Sequence, residues 1–103
     1  MTDALRLLPD LEEDARVGRD WYDERSPGLG DDFLAEFFAA LDSIQVDPFL
    51  YRQIHGDVRR CLLARFPYSV YFVTEEESIL IVGLFHCARD PNGIRDELGD
   101  RER

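Results

Sequence analysis

Lysine is absent from this 103-residue chain, and all 12 basic residues are arginine. Arginine suits planar, two-pronged contacts to carboxylate or phosphate. A base-composition bias of the genome gives the same preference, so no function follows from it. Long apolar runs are also missing. Nowhere do about 18 apolar residues follow one another, so no membrane-spanning helix is expected. The opening MTDALRLLPDLEED lacks the basic start, apolar middle and small-residue cleavage site of a signal peptide, and a cytoplasmic protein is expected. Cysteine is scarce. Cys61 and Cys87 fit no zinc spacing and lie in apolar runs, where buried reduced thiols are expected. There is no Gly-rich phosphate loop, no Walker signature and no Ser/His/Asp order that argues for a hydrolase. No cofactor or metal is expected, and Glu12 to Asp14 reads as a solvated helix start without converging ligands.

What remains is the composition of a folded domain. Apolar residues make up 45% and aromatics 12%, enough for one modest core in a single domain spanning residues 1–103. The net charge is −10, and it is unevenly spread. Residues 1–50 hold 13 acids against 4 arginines. Residues 51–72 hold only Asp57 against Arg52, Arg59, Arg60 and Arg65. Residues 73–103 return to 8 acids against 4 arginines. Whole-chain repulsion argues against general nucleic-acid binding. A local basic patch still suits a specific acidic partner.

Leu5 to Leu8 reads as a first strand before Pro9. A helix is predicted from about Pro9 to Arg25. Its early acids favour the positive helix start, and Leu11, Ala15, Gly18, Trp21 and Tyr22 recur at helical spacing as a packing face. Ser26-Pro27-Gly28 and Gly30 break the chain. A second helix is predicted from Asp31 to Val46, with Asp31 or Asp32 as N-cap. Phe33, Phe37, Leu41 and Ile44 form its stripe, widened by Leu34 and Phe38. Asp47-Pro48 ends it. Tyr51 to His55 is a candidate short strand. Val58 to Phe66 reads as a longer one, with Pro67 as turn or bulge and Tyr68 to Thr74 as the next. Glu75-Glu76-Glu77 suits a solvated hairpin turn. Ser78 to His86 is apolar nearly throughout, as a strand covered on both faces would be. Asp90-Pro91-Asn92-Gly93 signals a turn, followed by a polar tail from Ile94 to Arg103 with at most a frayed helical turn. Helices followed by strands argue an α+β fold, an antiparallel helix hairpin on one face of a mostly antiparallel sheet. The other face is left for function or a partner.

Several pieces in this order resemble one superfamily. They are Trp21-Tyr22, the Phe33/Leu34/Phe37/Leu41/Ile44 stripe, Pro48, Val58-Arg59-Arg60, Arg65-Phe66-Pro67-Tyr68, Val70-Tyr71, and His86 with Arg89-Asp90-Pro91. Together they resemble the RelE/ParE toxins of type II toxin–antitoxin modules, and within them the ParE-type branch often labelled plasmid stabilisation proteins. The resemblance implies a growth-inhibiting toxin neutralised by a cognate antitoxin, with DNA gyrase as target. The RelE-like alternative is a ribosome-dependent endoribonuclease acting on mRNA, and a third is a non-toxic interaction module of the same fold. A RelE-type arginine falls where Tyr68 stands, and no tyrosine follows Tyr71.

Each candidate residue has a plain structural reading beside the functional one. Arg59, Arg60 and Arg65 are expected on one strand, with residues 59 and 65 facing one way and Arg60 the other. They are candidates for contacting a target or antitoxin, or for a solvated sheet face. His86 is a candidate acid–base group or a hydrogen-bonded strand end. Arg89 is the first single-site choice for binding, against a salt-bridged turn with Asp90. Tyr68 could substitute as a catalytic group. His55 is assigned no role. The apolar helix faces would allow a homodimer.

Overall fold

The computed structural model describes residues 4–101. Five strands form one sheet in the order β1-β5-β4-β3-β2. β1 (Ala4–Leu7) lies parallel to β5 (Ser78–His86), and β4 (Tyr68–Thr74), β3 (Val58–Leu62) and β2 (Gln53–His55) follow antiparallel. Between β1 and β2 run α1 (Asp10–Arg25), α2 (Leu29–Val46) and a 3₁₀ turn, Pro48–Leu50. After β5 comes α3 (Pro91–Asp100). The α+β reading holds, with the α1/α2 hairpin on one sheet face.

The two central strands behave as their composition demands. Every residue from Tyr68 to Val73 and from Ile79 to Phe85 is buried, so both sheet faces are covered. The hairpin face is closed by aromatic rings. Phe33 of α2 is fully buried. Its ring centroid lies 5.3 Å from Tyr22, 5.5 Å from Phe66 and 4.8 Å from Tyr68, the edge and tilted contacts that aromatic quadrupoles favour. The ring also lies against Gly18 of α1, where an added Cβ would come within 2.6 Å of it. A side chain there would push the two helices apart.

Several boundaries depart from expectation. β3 ends at Leu62, not Phe66. Phe66 leaves the sheet to join the aromatic cluster, and the loop's backbone is held instead by side chains and turns. Glu36 accepts from Arg65 N–H at 3.0 Å, and Tyr68 accepts from Leu63 at 2.9 Å. Arg65 therefore stands in a loop, and the alternation expected to align it with Arg59 does not apply. α2 starts at Leu29, so neither Asp31 nor Asp32 is its N-cap. Gly28 takes that place with φ of +88°, a left-handed backbone that suits glycine. Asp23 of α1 reaches across to accept from Gly30 N–H at 2.7 Å, satisfying one of the helix's open donors. Tyr51 precedes β2 rather than starting it. Trp21 is no core residue. It is 45% exposed, with the Arg25 guanidinium 3.1 Å from its ring centroid, while neighbouring Tyr22 is buried. Phe38 is likewise exposed.

The largest departure is α3. Asp90-Pro91 begins a helix rather than only a turn. Asp90 accepts from Asn92 N–H, and Pro91 sits in the first turn, both ordinary helix-start chemistry. Ile94 and Leu98, four apart, bury against the sheet face opposite the hairpin. Residues 102 and 103 of the expected tail lie outside the described residues.

α3 also brings Arg101 to an otherwise open strand edge. β1 pairs only with Ser78 to Ile81, so the second half of β5, paired with β4 on one side, has no neighbour strand on the other. There Asp14 accepts from Leu84 N–H at 3.1 Å, and Arg101 donates to Val82 O at 2.7 Å. The two side chains bind each other at 2.7 and 2.8 Å. An ion pair thus completes the ladder where β1 stops. Burial works against the Arg101 charge, but the Asp14 hydrogen bonds and charge outweigh it and hold the guanidinium above its ordinary value.

Candidate functional site

The sheet face opposite the hairpin carries a cavity of about 140 Å³. Its walls come from four places. Arg60 and Tyr71 are cross-strand neighbours on β3 and β4. Ile54 and His55 come from β2, and Cys87 and Arg89 from the turn after β5. Pro91, Ile94, Arg95 and Leu98 of α3 close it. Alternation along β3 is what selects Arg60. Arg59, one residue earlier, points to the other face.

The lining holds three arginines, one histidine and no carboxylate, in a chain of net charge −10. Arg89 makes a 3.4 Å ion pair to Glu97. Both partners are about two-fifths exposed, so the pair holds weakly. The Arg89 guanidinium also lies 4.6 Å from the Phe85 ring centroid. Arg60 and Arg95 form no ion pair with any described carboxylate. His55 Nδ1 is buried without a hydrogen-bond partner. Burial pushes the Tyr71 phenol up, against the opposing pull of Arg60 and Arg89.

The sequence-predicted candidates divide among three places. Arg60 and Arg89 meet in this cavity. Arg59 is half-buried on the hairpin side. It donates to Tyr51 O at 2.6 Å and lies 5.1 Å from the Phe49 ring centroid. Arg65 is 3.6 Å from Glu36, in the loop beyond β3. Tyr68 and His86 are cross-strand partners on the hairpin side, ring centroids 5.2 Å apart. Burial pushes the Tyr68 phenol up. His86 Nδ1 accepts from Ala88 N–H at 2.9 Å, so a neutral ring carries its proton on Nε2. A separate cavity of about 270 Å³ joins Tyr68, His86 and Arg89 to Glu13, Asp14 and Glu97. Three carboxylates around it make that side a poor host for phosphate.

Arg95 was missed because its segment reads as a polar tail. The signal available was Ile94 and Leu98 four residues apart behind Asp90-Pro91. The expectation that both cysteines are buried holds for Cys61 only. Cys87 is exposed, with Ser69 Oγ 3.5 Å from its sulfur.

All four tyrosines, Tyr22, Tyr51, Tyr68 and Tyr71, are raised above their ordinary value of 10.0, with burial the largest cause each time. Burial likewise raises Cys61 above 9.0. Such groups stabilise the fold fully below their unfolded-state values, and this is lost as pH rises through the folded ones. Tyrosinate absorbance is therefore expected to appear late and together with loss of near-ultraviolet circular dichroism. Smooth ionisation near pH 10 with the fold intact would contradict the burial.

Among the described residues no helix is long and apolar enough to cross a membrane. No protein-family model matches the chain. No curated protein matches it either. A solved structure does, a chain of the chromosomal ParDE TA system from P. aeruginosa. The match covers 82% of this chain and 96% of that one at 17% identity, with a TM-score of 0.74. The chain therefore has the fold of that structure over most of both lengths.

Proposed function

We propose that this chain is a ParE-like toxin of a type II toxin–antitoxin pair. It acts by binding DNA gyrase and is held inactive by a cognate antitoxin in the cytoplasm. The observation that carries this reading is the fold likeness to the ParDE system over 96% of that chain. The acidic charge supports it, because a protein of net charge −10 docks poorly on a ribosome. Tyr68 and His86 stand apart from Arg60 and Arg95, share only Arg89 with that cavity, and lie among carboxylates, which supports it as well.

One observation favours the endoribonuclease reading. Three arginines share the cavity with His55 and Tyr71. Cleavage through a 2′-OH needs an acid, a base and cations to balance the phosphorane charge, and these residue types supply all three.

The test is bacterial growth after tight induction of the chain alone. Arrest is expected, with filamentation and DNA-damage signalling, and Arg89→Ala is expected to relieve it. Purified protein is expected to inhibit gyrase supercoiling and to leave ribosome-bound message intact. Cleaved message would replace the gyrase reading with the nuclease one. Unimpaired growth with soluble protein in the cells would leave only a non-toxic interaction module.

A further inference from the structure

We propose that the cavity between β3, β4 and α3 is an oxyanion site that takes one carboxylate from an acidic segment of a protein partner. This rests on the toxin reading only in that the partner is the antitoxin or target. Three features carry it. The first is an uncompensated charge. Several other arginines meet carboxylates, as Arg16 meets Glu13 and Asp20, and Arg101 meets Asp14, while Arg25 and Arg59 donate to the backbone carbonyls of Trp21 and Tyr51. Arg60 and Arg95 meet none among the described residues, although the chain carries 22 acids. Arg60, Arg89 and Arg95 are all exposed, so solvent screens their repulsion in the free protein, and an anion seated among them gains from the combined charge.

The second feature is size. Pockets for small molecules usually hold about 300–1,000 Å³, and this one holds about 140 Å³. It admits one anionic group, not a nucleotide. The third is the character of the wall. Ile94 and Leu98 form its floor beside the guanidiniums, and buried His55 Nδ1 has no hydrogen-bond partner. A carboxylate on a short apolar stem fits an apolar floor with polar groups above it. A polynucleotide fits less well, because the flanking acidic surface repels its remaining phosphates.

The site is tested by following the arginine side-chain N–H signals of the full-length, isotope-labelled chain by NMR. The probes are the capped tripeptide Leu-Glu-Leu, its Leu-Gln-Leu counterpart, inorganic phosphate and a short single-stranded RNA. The acidic peptide is expected to shift the Arg60, Arg89 and Arg95 signals, and the glutamine peptide to leave them. Arg60→Gln and Arg95→Gln are each expected to weaken peptide binding about tenfold or more, since each removes a charge-assisted hydrogen bond. Arg52→Gln removes the same charge from an exposed position outside the cavity and is expected to change little. Backbone amide spectra establish that every variant is folded. No shift with any anion overturns the site. Tighter response to RNA or phosphate than to the acidic peptide overturns the carboxylate assignment. Equal loss with Arg52→Gln overturns it in favour of a general charge effect. The growth assay is read separately, so arrest by a chain that ignores the peptide sinks this inference and leaves the toxin reading standing.

Discussion

Asp14→Ala is expected to lower the unfolding free energy by about 3–5 kcal/mol, the usual cost of removing one partner of a buried ion pair. The side chains of Asp14 and Arg101 are only 10% and 7% exposed. The mutation leaves a guanidinium buried against Val82 O without its main counter-charge. It also leaves Leu84 N–H without an acceptor on a strand edge that β1 does not reach. For a domain of this size that is a fall in melting temperature of roughly 15–30 °C. The double variant Asp14→Leu with Arg101→Met distinguishes charge from backbone pairing. It removes the stranded charge, so it is expected to lose less than Asp14→Ala. Full recovery is not expected, because Leu84 N–H and Val82 O remain unpaired. A double variant as stable as wild type would show that the edge needs no polar cover. An Asp14→Ala loss below about 1 kcal/mol, typical of surface pairs, would contradict the buried geometry.

Phe33→Ala is expected to cost about 3–5 kcal/mol as well, from lost burial and the cavity left behind. Phe33 is fully buried and lies among Tyr22, Phe66 and Tyr68, from three different parts of the chain. Collapse around the gap is restricted, because α1 already approaches as closely as Gly18 allows. Phe33→Leu keeps much of the volume and is expected to lose less. Urea unfolding reads both, with a lower midpoint at unchanged slope. A Phe33→Ala midpoint within experimental scatter of wild type would mean that the aromatic cluster does not hold the hairpin to the sheet.

Much of this architecture was legible in the residues. The period of the Phe33, Phe37, Leu41, Ile44 stripe set α2, and all four are buried. The unbroken apolar runs Tyr68 to Val73 and Ile79 to Phe85 set two covered strands. Alternation placed Arg60 opposite Arg59, and that pair is divided between the two sheet faces. What failed was local chemistry that supports two outcomes. Asp90-Pro91-Asn92-Gly93 is favourable both as a turn and as a helix start, and only the burial of Ile94 and Leu98 decides between them. Phe66 continues a strand pattern, yet its ring gains more by joining Tyr22 and Phe33 than by staying in the ladder.

The candidate site shows the division most clearly. By itself the sequence determined that arginine is concentrated between residues 51 and 72, that the rest is acidic, and that a helix hairpin precedes a run of strands. These follow from composition and period, which act over a few neighbouring residues. Only the tertiary structure decided that Arg60 and Arg89 join Arg95 and His55, while Tyr68 and His86 turn to the other face. It alone decided that Asp14, 87 residues from Arg101, completes β5 with it. Those pairings depend on which strands lie side by side and on where α3 packs. Long-range contacts of this kind are set by the burial of the whole core, and no local pattern carries them.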